Sequence, residues 1–164
     1  MKNYNWESFT KKIAIKTEMA ELYAAWTTPG AIEKWFLSKA DFTKTDGTKV
    51  TSNSHINTGD TYAWSWYLYD QVETGKVMLA NGKDQLQFTF AGDCLVDVQL
   101  TQQDDHVIVS LTQSNIPTDD QSKRGIRLGC DSGWSFFLLN LKSVYEGGID
   151  LRNKNEVFQG MLNN

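Results

Sequence analysis

The chain has no run of basic residues and no apolar stretch long enough to cross a membrane. Its 164 residues carry a formal net charge of −4. Such a balance lacks the cationic patch that nucleic acid or an anionic bilayer requires, so neither is expected as a partner. Histidine is scarce: His55 and His106 are the only two, and neither has a partner at a ligand spacing such as HxH or HExxH. A histidine-built metal site and a Ser-His-Asp triad are therefore unsupported, and Ser132-Gly133 does not form a nucleophile elbow. No metal and no cofactor are expected. The two cysteines, Cys94 and Cys130, stand far apart and fit no CxxC or zinc spacing. They are expected as free thiols in a reducing compartment. The first residues, MKNYNWESFTKK, contain no apolar run of signal-peptide length, so the expected location is cytoplasmic. No internal repeat or low-complexity segment is present, and the length suits one domain over residues 1–164.

What the chain has in quantity is aromatic side chains, including six tryptophans. They concentrate in GDTYAWSWYLYD, residues 59–70, where Tyr62, Trp64, Trp66 and Leu68 recur at every second position. A strand would put these four on one face. Three uses fit such a face: plain core, the wall of a ligand cavity, or an exposed stacking platform. The missing basic patch speaks against base stacking. An antiparallel sheet that buries one face would bury the tryptophan face and leave Ala63, Ser65, Tyr67 and Tyr69 toward solvent or a partner.

The rest of the chain supplies the context. FTKKIAIKT (9–17) alternates as a first strand. Thr17 is placed to cap a short helix carrying Met19, Leu22, Tyr23 and Trp26, and Thr28-Pro29 to start a second with Ile32, Trp35 and Phe36. From about residue 39 to 115 the pattern is of strands. ADFTKT comes first, then a polar Gly-bearing loop, the aromatic strand, and QVETGKVMLA. An Asn81-Gly82 hairpin signal follows, and then DQLQFTFA, LVDVQLTQ and HVIVSLTQS. Thr118 and Gln121 form a capping-box pattern. Gly125, Gly129 and Gly133 weaken the helix signal after it, which becomes strong from Asp131. Trp134, Phe137, Leu138, Leu141, Val144 and Tyr145 then form an apolar stripe that Gly147-Gly148 ends. The order predicts an α+β domain in which a curved antiparallel sheet wraps a long C-terminal helix.

Three segments carry a resemblance: LYAAWTTPGAIEKWF (22–36), GDTYAWSWY (59–67) and GWSFFLLNLKSVYEGGIDLR (133–152). In that order they resemble the START/Bet v1-like (SRPBCC) helix-grip superfamily, within the activator of Hsp90 ATPase homologue (AHSA1-like) group. The first looks like the family's two small helices and the second like its aromatic third strand. The third looks like its grip helix with the closing Gly148-Ile149-Asp150-Leu151-Arg152. The resemblance implies the helix-grip (Bet v1-like) fold and a hydrophobic ligand cavity between sheet and helix. It equally implies a co-chaperone-like or stress-response interaction module, and more remotely a polyketide-cyclase-like enzyme. Fold alone does not choose among them.

The expected ligand is a small apolar or aromatic molecule. From the sheet its contacts are expected to be Tyr62, Trp64, Trp66, Phe88 and Phe90. From the helix they are expected to be Gly129, Trp134, Phe137 and Leu141, with Arg127 at the cavity mouth. Trp35 and Phe36 would close one end. The bulk of the indoles predicts a small or narrow pocket. Tyr62, Tyr145 and Arg127 are the polar groups expected near the cavity, whereas alternation sends Asp97 to the opposite face. No acid–base pair stands out, and no catalytic residue is assigned. A chaperone or other protein partner would use Tyr67 and Tyr69. A monomer and a homodimer both remain open.

Overall fold

The computed structural model describes residues 4–164. Seven strands form one antiparallel sheet: β1 (Phe9–Ile15), β2 (Lys39–Thr43), β3 (Thr61–Ser65), β4 (Glu73–Ala80), β5 (Gln85–Thr89), β6 (Leu95–Gln103) and β7 (His106–Ser114). Their order in the sheet is β1-β7-β6-β5-β4-β3-β2. The two helices α1 (Met19–Thr27) and α2 (Pro29–Ile32) bridge β1 at one edge to β2 at the other. This is the α+β arrangement read from the sequence.

Alternation sets the register. Val96, Val98 and Leu100 on β6 and Val107, Val109 and Leu111 on β7 are buried, while their neighbours in sequence are partly or fully exposed. β5 does the same with Leu86 and Phe88. Asp97 lies on the outer face, where its carboxylate accepts from the side-chain amides of Gln85 and Gln87. The buried face of the sheet meets the C-terminal helix. That helix runs as four consecutive pieces: an α-turn at Asp120–Ser122, a π-turn at Lys123–Leu128, the α-helix Gly129–Lys142 and a second π-turn at Ser143–Gly147.

Local expectations are corrected at three helix starts. The C-terminal helix begins at Asp120 and runs on through the glycine-bearing turns that weaken its signal before Asp131, because contacts such as those of Arg127 with Asn5, Tyr4 and Phe9 outweigh propensity. Its cap is Asp119, whose carboxylate accepts from the Ser122 amide (3.0 Å), in place of Thr118. Thr17 does not cap α1: its hydroxyl donates to the Glu21 carboxylate (2.7 Å). Thr28 precedes α2 as expected, but its hydroxyl donates back to the Ala24 carbonyl. The far end of the helix closes at Gly148, whose φ of 71° is the left-handed conformation that glycine adopts without steric cost.

The segment after Gly148 clasps the helix to the turn between α2 and β2. Arg152, 8% exposed, donates to the carbonyls of Leu37 (2.8 Å) and Glu33 (2.9 Å) and to the Asp150 carboxylate (2.7 Å). Asn140, wholly buried in the helix, donates to the Trp35 carbonyl (2.6 Å) and accepts from the Leu151 amide (2.7 Å). These bonds satisfy carbonyls that the end of the α2 turn would otherwise leave buried and unpaired.

Candidate functional site

The aromatic strand is shorter than its sequence pattern. β3 ends at Ser65, and Leu68 takes a left-handed φ of 65°, so the chain peels away from the sheet before β4 begins at Glu73. Tyr62 and Trp64 stay in the core, stacked on each other with ring centroids 3.8 Å apart. Leu68 does not join their face. Trp66 still turns inward, edge-on to Phe36 at 5.4 Å.

Phe36 is the hub of the aromatic cluster. It stacks on Trp134 (5.1 Å) and meets Trp64 (5.6 Å) and Phe137 (4.8 Å) edge-on. Such offset and edge-to-face geometries are the favoured ones for rings. The Trp134 indole N–H donates to Gln113 Oε1 (3.0 Å), which fixes the ring against β7. The buried indole nitrogens of Trp26 and Trp64 have no hydrogen-bond partner among the described residues.

A cleft of about 920 Å³ opens beside this cluster, between the C-terminal helix, the β3–β4 connection and the end of the chain. That lies near the upper end of the roughly 300–1,000 Å³ seen for small-molecule sites. The expectation of a small or narrow pocket is therefore corrected. The indoles do fill the interior, as their bulk requires. The space lies outside them, where Gly125, Gly129 and Gly133 present no side chain; a Cβ at any of the three would meet nothing within 4 Å.

The expected site residues divide by position. Trp66, Phe90, Gly129, Trp134 and Phe137 line the cleft, together with Phe36. Tyr62, Trp64, Phe88 and Leu141 lie in the packed core and do not reach its lining. The Tyr62 hydroxyl donates to the Thr89 carbonyl, and burial followed by the nearby Glu73 charge pushes its pKa far up. Arg127 is not at the cleft mouth. It is buried against β1 and the N-terminal segment, stacked over Phe9 (4.5 Å) and Tyr4 (4.9 Å). It bonds to Asp131 (2.8 Å) and the Asn5 carbonyl (3.2 Å). Trp35 is sealed in the core with its indole donating to the Ala25 carbonyl (2.9 Å). Tyr145 borders a separate, smaller recess with Glu21 and Lys34, and burial pushes its hydroxyl up to about 12.

Glu73 also lines the cleft and was not among the expected site residues. Glu73 sits directly opposite Trp64 in the β3–β4 register, and opposed residues share a face. The signal was present: Val77 is buried, and counting back by twos gives Gly75 and Glu73 on the same inward face. One Glu73 carboxylate oxygen accepts from the Ala91 amide (2.7 Å). Cys130 also lines the cleft as a free thiol, which burial pushes up to about 11, so it stays protonated at neutral pH. No group of three or more His, Cys, Asp or Glu side chains among the described residues is arranged to hold a metal ion.

Comparison with known proteins places this architecture. The family model for activator of Hsp90 ATPase homolog 1-like protein matches residues 16–146. The chain belongs to that family. No curated protein sequence matches the chain. Among solved structures, the Aha1 dimer from Colwellia psychrerythraea is similar over 86% of this chain and 97% of its own, with 21% identity and a TM-score of 0.65. SSP2350 from Staphylococcus saprophyticus is similar over 88% and 96%, with 16% identity and a TM-score of 0.68. CalU16 from Micromonospora echinospora is similar over 87% of this chain and 76% of its own, with 18% identity and a TM-score of 0.64. At these identities the likeness establishes the helix-grip fold. Among the described residues, no helix is long and apolar enough to cross a membrane.

Proposed function

We propose that this family member binds one small apolar or aromatic molecule in the cleft beside the C-terminal helix. One observation carries the reading: a ligand-sized space walled by Phe36, Trp66, Phe90, Trp134 and Phe137, held open by a helix face of three glycines. Pockets that take small organic molecules are mostly apolar with a few polar anchors. Burial of such a ligand contributes about 25 cal/mol per Å² of apolar surface before the cost of ordering it. A cytoplasmic setting belongs to this reading and is supported by two free thiols.

Trp66 and Trp134 on the wall make the test direct. Titration with a neutral two-ring probe, diphenylbutanol, is expected to change tryptophan emission saturably. The Trp66→Phe variant is expected to bind with a smaller signal. A flat titration at every accessible probe concentration contradicts the reading.

A second reading, a protein-interaction module, draws on the rim. Tyr69, Val72, Leu139 and Leu162 are 55%, 56%, 58% and 95% exposed around the cleft mouth. A homodimer or a chaperone partner seated there would cover them. Sedimentation of the free protein separates the two: a stable dimer that excludes the probe supports the rim. The enzyme reading has less support, because the Cys130 thiol is held protonated and the Tyr62 hydroxyl is engaged beneath the wall.

A further inference from the structure

We propose that the ligand of this cleft carries a cationic amine, anchored by Glu73 inside the aromatic wall. The inference rests on the binding reading above and names the chemistry that the site selects.

Among the described residues, Glu73 is the one acidic side chain on the lining, and no lysine, arginine or histidine side chain joins it there. Its position is built, not incidental. The register sets it opposite Trp64, at the first residue of β4, where the sheet opens into the cleft. The Ala91 amide holds one carboxylate oxygen at 2.7 Å, with Ala91 itself in a left-handed turn (φ 55°). The second oxygen receives no hydrogen bond from the described residues. Its charge is felt deeper in the fold: after burial, it is a further cause that holds protons on Tyr62, Cys94 and Cys130.

Each ligand class meets this site differently. A purely apolar occupant would strip water from the Glu73 carboxylate and leave it facing hydrocarbon, which is unfavourable. An anion would add like-charge repulsion in a space of low dielectric. An ammonium replaces the lost water, donates to the free oxygen, and rests against ring faces that attract cations. The apolar body of the same molecule fills the glycine-floored space. The net charge of −4 favours approach of a cation from solution.

Three probes that share one skeleton test this: diphenylbutylamine, diphenylbutanol and diphenylbutyrate, titrated calorimetrically near neutral pH into wild type and Glu73→Gln. The wild type is expected to bind the amine about tenfold more tightly than the alcohol, and the carboxylate most weakly. In Glu73→Gln the amine is expected to fall to within about twofold of the alcohol, while the alcohol binds at least as well as before. The glutamine carbonyl still accepts from the Ala91 amide, and alcohol binding reports an intact cleft. Equal wild-type affinity for amine and alcohol, preference for the carboxylate, or a tenfold amine preference that survives in Glu73→Gln each overturns the inference alone. If no probe binds, the cleft reading falls and takes the inference with it.

Discussion

Gly75 shows how one missing side chain shapes the ground beneath the cleft. A Cβ there would lie 2.6 Å from Thr89 Oγ1 and closer still to the Tyr62 hydroxyl. Tyr62 has no room to retreat, since its ring stacks on Trp64 and its hydroxyl is bonded to Thr89. Gly75→Ala is expected to cost about 1–3 kcal/mol, read as a lower urea midpoint, as overpacked cores do. An unchanged midpoint would mean that the core yields more easily than its stacking implies. Asp150 is the second residue with a measurable consequence. Burial alone would raise its carboxyl, but bonds from Arg152 and Lys154 outweigh that and hold it well below the usual carboxylate range. A depressed folded pKa means stability that is complete above the unfolded value, about 4, and is lost as pH falls below it. Asp150→Asn is therefore expected to cost about 2 kcal/mol at neutral pH and much less in acid. Equal losses at both pH values would deny the linkage. Individual residues were unevenly legible in the sequence. Asp97 pointing outward followed from alternation alone. Arg127 did not, because Asn5 and Phe9, which bury it, are brought to it only by the tertiary fold.

The C-terminal helix is the element on which stability and binding separate. Each glycine in a helix interior costs roughly 1 kcal/mol relative to alanine, and three of them stand on one face here. Nothing in the structure fills the space over Gly125, Gly129 or Gly133. Gly129→Ala is expected to raise stability by about 0.5–1 kcal/mol. Gly129→Leu is expected to keep the fold and fill the cleft, so that diphenylbutanol no longer changes tryptophan emission. Destabilisation by either substitution would show that the helix face is packed in solution. The same glycines explain why the helix start was not legible. Local propensity reads them as breakers, while Arg127 and the Asp119 cap hold the turns in place. Strands β5, β6 and β7 were legible because their alternation is strict. The end of β3 was not, because the aromatic alternation runs on past Ser65 while the backbone turns at Leu68.

At the scale of the whole molecule, the order of elements was enough to give the architecture. A strand, two short helices, an antiparallel meander and one long amphipathic helix have few ways to bury their apolar faces. The seven-stranded sheet around the C-terminal helix is that solution. The cleft was only half legible. Its aromatic wall was visible as composition, but its place outside the core depends on where the β3–β4 connection and the chain end come to rest. The central claim is that this space takes a ligand. Native mass spectrometry of wild type and Gly129→Leu, each offered diphenylbutylamine and diphenylbutanol, tests it most directly. The account predicts one adduct per wild-type chain, lost on denaturation, stronger for the amine, and absent from Gly129→Leu. Wild type without an adduct, or equal adducts on both proteins, would contradict it.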